Sequence, residues 1–171
     1  MKTLLVSLLV AALFNATSIY DFKVPGLDGN IDFAAFKGKK ILIVNTASQC
    51  GNTPQYKDLE TLYEQHKGEL VIVGFPANNF GGQEPGSNNE IKEFCSSKYA
   101  ISFPMAEKIS VKGDDTHPLY KFLKEQAAAK GLQDPVTWNF GKFLLNESGE
   151  LVATFSPKTK PDSPEIQKWF N

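Results

Sequence analysis

Two short apolar runs, separated by a segment of helical periodicity, limit the folds that this chain can adopt. The runs Lys40–Asn45 and Leu70–Phe75 are rich in β-branched residues and predict buried strands. Between them, Pro54–His66 carries apolar side chains at spacings of three and four, which predicts a helix that stops near Gly68. This order predicts a βαβ unit, with two parallel strands and a helix packed on one face of the sheet.

The flanking sequence predicts the remaining elements of one α/β domain. A hairpin is predicted from Tyr20–Val24 to the stretch around 31–33, through the turn Asp28-Gly29-Asn30. A second hairpin is predicted from Phe140–Asn146 and Glu150–Phe155. Further helices are predicted over Asn88–Tyr99, with Ser87 or Asn88 as the cap, over His117–Lys130 and over Ser163–Phe170. The order resembles a thioredoxin-like fold with an N-terminal β-hairpin extension and an inserted helix.

Cys50 lies between the first predicted strand and the helix that begins near Thr53-Pro54. The free N–H groups and the dipole of a helix N-terminus stabilise an anion, so this position favours the thiolate form of a cysteine. The sequence therefore predicts a reactive cysteine. The alternative is a buried cysteine that packs as a small apolar side chain.

Residues 1–18 have the pattern of a secretory signal peptide. Lys2 precedes an apolar run from Leu4 to Phe14, and small residues lead to Ser18. We expect cleavage after Ser18 and export to a periplasm or to the cell exterior. The run is shorter than the roughly 20 residues of a membrane-spanning helix, so we expect no stable membrane insertion. The alternative is a buried N-terminal helix or strand.

The remaining chain, 19–171, predicts one domain, because no repeat or linker divides it. The net charge of −1 gives no basic surplus for binding nucleic acid. All 18 cationic side chains are lysine, so the chain cannot make the bidentate guanidinium clamp that favours acidic ligands. Its two histidines and two cysteines lack the spacing of a zinc site, and we expect no metal and no cofactor.

Several ordered blocks after residue 18 resemble the signature blocks of the glutathione peroxidase family. The blocks are Asn45–Gly51, Gly74-Phe75-Pro76, Phe80–Gly86 and Trp138-Asn139-Phe140, followed by weaker blocks at 103–105, 118–123 and 159–161. The resemblance covers nearly the whole chain after the leader. It implies a peroxidase.

The resemblance further implies four catalytic residues: Cys50, Gln83, Trp138 and Asn139. Cys50 stands where the family has its peroxidatic selenocysteine or cysteine. A thiolate attacks one peroxide oxygen while the other leaves as hydroxide or alkoxide, and the amide and indole N–H groups are neutral donors suited to stabilise both. Taken singly, each donor also has a structural explanation: a polar loop residue, a turn residue or a core aromatic.

Some members of the family have two cysteines, depend on thioredoxin and carry a resolving cysteine. The resemblance places Cys95 at the position of that resolving cysteine. A second thiol traps a sulfenic acid as a disulfide before irreversible oxidation. Disulfide bonding requires Cα atoms about 4.4–6.8 Å apart, so we predict that the second helix is mobile around Glu93–Tyr99. The alternatives are a static structural disulfide with Cys50 and a buried spectator.

These interpretations predict a thiol peroxidase that reduces hydrogen peroxide and organic or lipid hydroperoxides. We expect Cys50 to attack, Cys95 to resolve and a thioredoxin-like protein to restore both thiols. The chain has little room before Trp138 for the insertion at the interface of tetrameric members, so we expect a monomer. The alternatives are a glutathione-dependent peroxidase with Cys95 as a bystander, a peroxide sensor and a thiol–disulfide oxidoreductase.

Overall fold

The computed structural model describes residues 17–170. The predicted signal peptide, apart from its last two residues, lies outside the described residues. Within 17–170, no helix has the length and apolar character needed to cross a membrane.

Ten helices and strands follow one another in the described chain. In chain order they are β1 (Lys23–Val24), β2 (Ile31–Asp32), β3 (Lys40–Thr46), α1 (Gln55–Gln65), β4 (Leu70–Pro76), α2 (Asn88–Tyr99), α3 (Pro118–Ala129), β5 (Lys142–Leu145), β6 (Leu151–Phe155) and α4 (Pro164–Gln167). Two 3-10 turns, Ile19–Asp21 and Phe33–Phe36, flank the small β1–β2 hairpin.

The central sheet has the strand order β4-β3-β5-β6. Strands β3 and β4 are parallel over seven residue pairs, from Lys40 opposite Leu70 to Thr46 opposite Pro76. Strand β5 is antiparallel to β3, with Lys142 opposite Val44, and β6 is antiparallel to β5. A parallel β3–β4 pair joined by α1 confirms the predicted βαβ unit, and the mixed sheet with its flanking helices confirms the thioredoxin-like fold.

Alternate side chains of the strands build two apolar clusters, one on each face of the sheet. On one face, Ile41 and Ile43 of β3 pack with the N-terminal hairpin and with α3. On the other face, Leu42 and Val44 pack with α1, α2 and α4. Both cysteines, Cys50 and Cys95, belong to this second cluster, which places the chemistry on the face that carries α1 and α2.

The helix boundaries agree with the local sequence signals. Helix α2 begins with a capping box, in which the Ser87 hydroxyl accepts from Glu90 N–H and the Glu90 carboxylate accepts from Ser87 N–H. It ends at Ala100, which has a left-handed φ of 51°. The predicted bounds of this helix, 88–99, are confirmed.

Several predicted elements differ from the structure at their ends. The predicted strand from Tyr20 is a 3-10 turn at its start, because Ser18 and Asp21 form a capping box there. Helix α1 begins at Gln55, since Pro54 occupies the cap position. Phe140 lies before β5 rather than in it, with a left-handed φ of 71°. The last helix is only Pro164–Gln167.

Candidate active site

Three loops place the predicted catalytic residues at one edge of the sheet. Cys50 follows the carboxyl end of β3, and Gln83 lies in the loop after the parallel strand β4. Trp138 and Asn139 precede β5, whose antiparallel course starts beside the end of β3. The carboxyl edge of two parallel strands is where open α/β sheets place their sites, and β5 adds its preceding loop to the same edge.

Cys50 lies in a tight turn between β3 and α1 and is only 9% exposed. Its own N–H donates to Thr53 Oγ1 at 2.9 Å, and the Thr53 hydroxyl donates to the Ala47 carbonyl at 2.8 Å. The sulfur accepts from the backbone N–H of Asn52 at 3.4 Å. The turn therefore directs a backbone donor at Sγ, which is the electrostatic support for a thiolate expected from a helix N-terminus.

Gln83 and Asn139 are joined directly. Asn139 Nδ2 donates to Gln83 Oε1 at 2.9 Å, and the Gln83 carbonyl accepts from Gln49 N–H at 3.0 Å. The side chain of Asn52 donates to the Asn139 carbonyl at 3.4 Å. These bonds link the Gln83 loop, the Asn139 loop and the Cys50 turn into one network. Asn139 is fully buried, whereas Gln83 is half-buried.

Trp138 is exposed beside the cysteine. Its side chain is 41% exposed and packs against Phe80, with the ring centroids 5.5 Å apart. It shares with Cys50 a mainly apolar surface cavity of about 480 Å³ that also includes Pro157 and Lys158. A cavity of this size next to the sulfur is of the scale that takes a small organic ligand.

Asn45 and Lys142, whose roles the sequence did not predict, hold the loop that carries Trp138 and Asn139 by hydrogen bonds. Asn45 Nδ2 donates to the Trp138 carbonyl at 3.0 Å, and Phe140 N–H donates to the Asn45 carbonyl at 2.6 Å. Lys142 Nζ donates to the Phe140 carbonyl at 2.7 Å and is fully buried. Burial lowers the pKa of Lys142 to about 7.

The signal for these supporting residues was present but ambiguous. Asn45 and Lys142 are polar residues at the ends of apolar strands, where a solvent-exposed end is the ordinary expectation. Only the tertiary structure buries them. The need for glycine at position 141 is likewise visible only in the tertiary structure, because a Cβ at this position would collide with the Pro135 carbonyl.

Cys95 lies on the buried face of α2 and is 4% exposed. Both cysteines are free thiols, so the structure has no static Cys50–Cys95 disulfide. Burial raises the pKa of the Cys95 thiol to about 11. Helix α2 is regular throughout Glu93–Tyr99, and the predicted mobility of this segment stays a prediction.

The chain is similar to a known protein family and to several proteins of that family. The family model for glutathione peroxidase matches residues 19–124. The glutathione peroxidase-like peroxiredoxin gpx1 of Schizosaccharomyces pombe is 48% identical over 148 residues, covering 85% of this chain and 93% of that protein. The hydroperoxy fatty acid reductase gpx1 of Synechocystis sp. is 45% identical over 162 residues, covering 88% of this chain and 95% of that protein.

A solved structure shows the same relationship. The crystal structure of Trgpx in its apo form matches with a TM-score of 0.69 and 41% identity, covering 91% of this chain and 94% of that chain. The family model matches more than half of the chain, and the relatives match over most of their length. This chain belongs to the glutathione peroxidase family.

Proposed function

We propose that this protein reduces hydrogen peroxide and organic hydroperoxides with Cys50 as the attacking thiol, Cys95 as the resolving thiol and a thioredoxin-like protein as the reductant. Membership of the family makes it a thiol peroxidase. The observation that carries the residue assignment is the meeting of three loops at one sheet edge. There the bonded pair Gln83 and Asn139 is linked through Asn52 to the Cys50 turn.

The first step is the attack of the Cys50 thiolate on one oxygen of the peroxide. The S–O bond forms as the O–O bond breaks, and the second oxygen leaves as hydroxide or alkoxide, which takes up a proton to become water or alcohol. The side chains of Gln83, Trp138 and Asn139 are neutral N–H donors that stabilise negative charge on the sulfur and on the leaving oxygen. Cys50 is left as a sulfenic acid.

The second step is disulfide formation between the two cysteines. Cys95 attacks the sulfur of the Cys50 sulfenic acid, and water leaves. Both thiols belong to the apolar cluster beneath α1 and α2, which supports this pairing. Because Cys95 sits on the buried face of a regular helix, part of α2 must open before the two sulfurs bond.

The composition favours a protein dithiol over glutathione as the reductant. The chain has 18 cationic side chains, all of them lysine, so no guanidinium is present to clamp the carboxylates of glutathione. The relative from S. pombe is named a peroxiredoxin, which agrees with this choice. The competing candidate is glutathione, with Cys95 as a bystander.

The exposed side of the site favours bulky hydroperoxides as additional substrates. Trp138 and Cys50 share an open, mainly apolar cavity, which suits an acyl chain. The relative from Synechocystis is named a hydroperoxy fatty acid reductase. Turnover of a phospholipid hydroperoxide supports this assignment. Consumption of hydrogen peroxide without any turnover of the lipid contradicts it.

The deciding experiment measures peroxide-dependent NADPH oxidation with thioredoxin and thioredoxin reductase, beside a glutathione and glutathione reductase system. The proteins are the wild type, Cys50→Ser and Cys95→Ser. Thioredoxin-supported turnover that is lost in both variants supports the two-cysteine mechanism. Glutathione-supported turnover that survives Cys95→Ser overturns it. A mixed disulfide with a partner protein and negligible turnover would instead identify a peroxide sensor.

We also propose that the protein is an exported monomer. The proposal of export rests on residues 1–18, in which a charged residue is followed by an apolar run and then by small residues. Ser18 caps the first 3-10 turn, so N-terminal sequencing of the secreted protein will show whether this cap is kept. Light scattering during gel filtration tests the monomer, since a dimer or tetramer mass would contradict it.

A further inference from the structure

A buried polar cluster lies between the Cys50 loop and α2 and has no part in the peroxide chemistry described above. It consists of Thr46, Tyr56, Glu84 and Cys95, with Ser48 at its edge. Glu84, Tyr56 and Thr46 are each 0% exposed, and Cys95 is 4% exposed. A fully buried glutamate is unusual unless its charge is paired or its proton is used.

Hydrogen bonds hold Glu84 in place but engage only one of its two carboxyl oxygens. The Ser48 hydroxyl donates to Oε1 at 2.6 Å, and the Glu84 N–H donates to Asn78 Oδ1 at 2.9 Å. Oε2 is buried and has no hydrogen-bond partner among the described residues. The nearby Lys108 Nζ binds the carbonyls of Glu84 and Gly86 at 3.3 and 2.6 Å, not the carboxylate.

The environment of Glu84 raises the pKa of its carboxyl group above that of a solvated glutamate. Burial raises the pKa of its carboxyl group, while the Ser48 bond and the positive charge of Lys108 act in the opposite direction. The other titratable groups that face it are Cys95 and Tyr56, and Glu90 lines the adjoining cleft. A carboxyl group whose pKa is raised by burial is typical of acid–base residues.

Among residues 17–170, Glu84 is the carboxylate whose charge acts on the Cys95 thiol. The thiol pKa of about 11 keeps Cys95 protonated at neutral pH, and the negative charge of Glu84 contributes to that rise after burial. The Tyr56 hydroxyl faces both Cys95 and Thr46, but it forms no hydrogen bond of good geometry with either. Because the thiolate is the nucleophile, the resolving step requires removal of this proton.

A surface cleft places Glu84 next to both the Cys50 loop and α2. A cleft of about 370 Å³ runs between the Cys50 loop and α2, and Ser48, Glu84, Ile91 and Phe94 line it. Gln49 and Phe94, which also line the cleft, are the direct chain neighbours of Cys50 and Cys95. Glu84 therefore lies beside both segments that must approach each other for the Cys50–Cys95 disulfide to form, and its Oε2 is buried without a hydrogen-bond partner.

We propose that Glu84 is the general base of the resolving step, which accepts the thiol proton of Cys95 as Cys95 attacks the Cys50 sulfenic acid. The S–H bond of Cys95 breaks and its proton passes to the Glu84 carboxylate. The S–S bond then forms as the S–O bond of Cys50 breaks, and the departing hydroxide takes the proton from Glu84 and leaves as water. The carboxylate is thereby restored, and no further oxidant is consumed. This inference rests on the resolving role proposed for Cys95.

The test separates the two steps by rapid mixing of the reduced full-length protein with one equivalent of hydrogen peroxide. The tryptophan fluorescence, to which Trp138 beside Cys50 contributes, reports a first phase that depends on peroxide concentration and a second phase that does not, and mass spectrometry assigns the second to the disulfide. In Glu84→Gln, which keeps an acceptor for Ser48, the second phase slows at least about tenfold relative to the first at neutral pH. Glu84→Asp, which keeps a carboxylate, restores part of the rate.

The pH profile distinguishes a base from a structural contact. In the wild type, the second phase falls as the pH is lowered through the titration of Glu84. In Glu84→Gln the inflection and the plateau due to Glu84 are lost, and the rate rises continuously with pH as the Cys95 thiol ionises. Glu93→Gln removes an exposed carboxylate from α2 and serves as the matched control, with an unchanged profile.

Each result has one meaning. The proposal is overturned if the second phase of Glu84→Gln keeps the wild-type rate and pH profile. It is also overturned if Glu84→Gln and Glu84→Asp each slow the first and second phases by the same factor. If the wild type forms no Cys50–Cys95 disulfide at all, the resolving role of Cys95 itself fails.

Discussion

At the residue scale, the bond from Asn139 to Gln83 determines how the Gln83 amide can act. Oε1 accepts from Asn139 Nδ2, so the donor end of the amide is left for the reacting oxygens. No hydrogen bond within residues 17–170 uses the Gln83 NH₂ group. Asn139 therefore positions Gln83 in addition to any direct contact of its own.

We expect Gln83→Ala to lower the rate constant for the reaction of reduced protein with hydrogen peroxide by about 10²–10³-fold, because one donor to the developing anion is lost. The measurement is the first phase of the rapid-mixing experiment. Gln49→Ala is the control, since Gln49 carries the same side chain next to Cys50 but is exposed and bonds to Gln83 through its backbone only. Equal rates in the two variants would remove Gln83 from the catalytic set.

Lys142 gives a second prediction at this scale, on the pH dependence of stability. Its pKa of about 7 in the folded protein lies below the value of about 10.4 in an unfolded chain. Between these values the unfolded state binds more protons, so the contribution of Lys142 to the free energy of unfolding rises with pH, by at most about 1.4 kcal/mol per pH unit. Below pH 7 both states are protonated and the contribution is constant.

Lys142→Met should lack this rise, so the wild type gains stability relative to the variant as the pH increases from about 7 to 8.5. Urea unfolding at several pH values measures the difference. The exposed lysine Lys121 on α3 provides the control variant Lys121→Met, which should follow the wild type. Parallel curves for wild type and Lys142→Met would contradict a lowered pKa.

At the element scale, α2 is held by its caps, and we expect it to open at its C-terminal end. The capping box at Ser87 and Glu90 fixes the start of the helix, with the Glu90 carboxylate accepting from Ser87 N–H at 2.7 Å. At the other end, Ala100 adopts a left-handed φ of 51°, which is unfavourable for a residue with a Cβ. The helix therefore carries its local strain at the end close to Cys95.

We expect Ala100→Gly to raise the free energy of unfolding by about 1 kcal/mol, because glycine adopts this conformation without the Cβ clash. The same change should slow disulfide formation, since a firmer end of α2 opens less often. Ala128→Gly, at an exposed right-handed position of α3, should instead destabilise the protein and leave disulfide formation unaffected. Faster disulfide formation in Ala100→Gly would argue against opening of this end.

At the scale of the whole molecule, the two faces of the sheet differ in that only one of them contains the cysteines. The face with α3 and the N-terminal hairpin is a continuous apolar cluster without either cysteine, whereas the face with α1 and α2 contains both. We therefore expect an opening of α2 to disturb the second face only, while the sheet holds the Cys50 and Trp138 loops at one edge.

We therefore predict that oxidation by peroxide speeds amide hydrogen exchange in α2 (Asn88–Tyr99) while leaving β3, β4 and α3 protected. Hydrogen-exchange mass spectrometry of reduced and oxidised protein measures this. The oxidised form of Cys95→Ser is the control, because it cannot form the disulfide. Loss of protection throughout the sheet would show global loosening instead of local opening.

The sequence predictions were accurate where the interactions that determine a feature lie within the segment itself. The bounds of α2 were predictable because a capping box and an apolar period lie within the segment itself. The start at Tyr20 was predicted as a strand and is a 3-10 turn, because the bonds of Ser18 and Asp21 outweigh strand propensity. Phe140 leaves the predicted strand for a left-handed conformation, because its N–H is held by the Asn45 carbonyl, distant in sequence.

The sequence by itself determined the βαβ unit, the strand-to-helix position of Cys50 and, through its ordered blocks, the family and the residues to look for. These features depend on periodicity, caps and motifs, which are written in neighbouring residues. Only the tertiary structure joined Gln83 to Asn139, buried Lys142 beneath the Trp138 loop and set Glu84 in a cleft between the Cys50 loop and α2. Those contacts connect residues far apart in the chain, and long-range packing decides burial, which in turn sets the charge and proton affinity of each group.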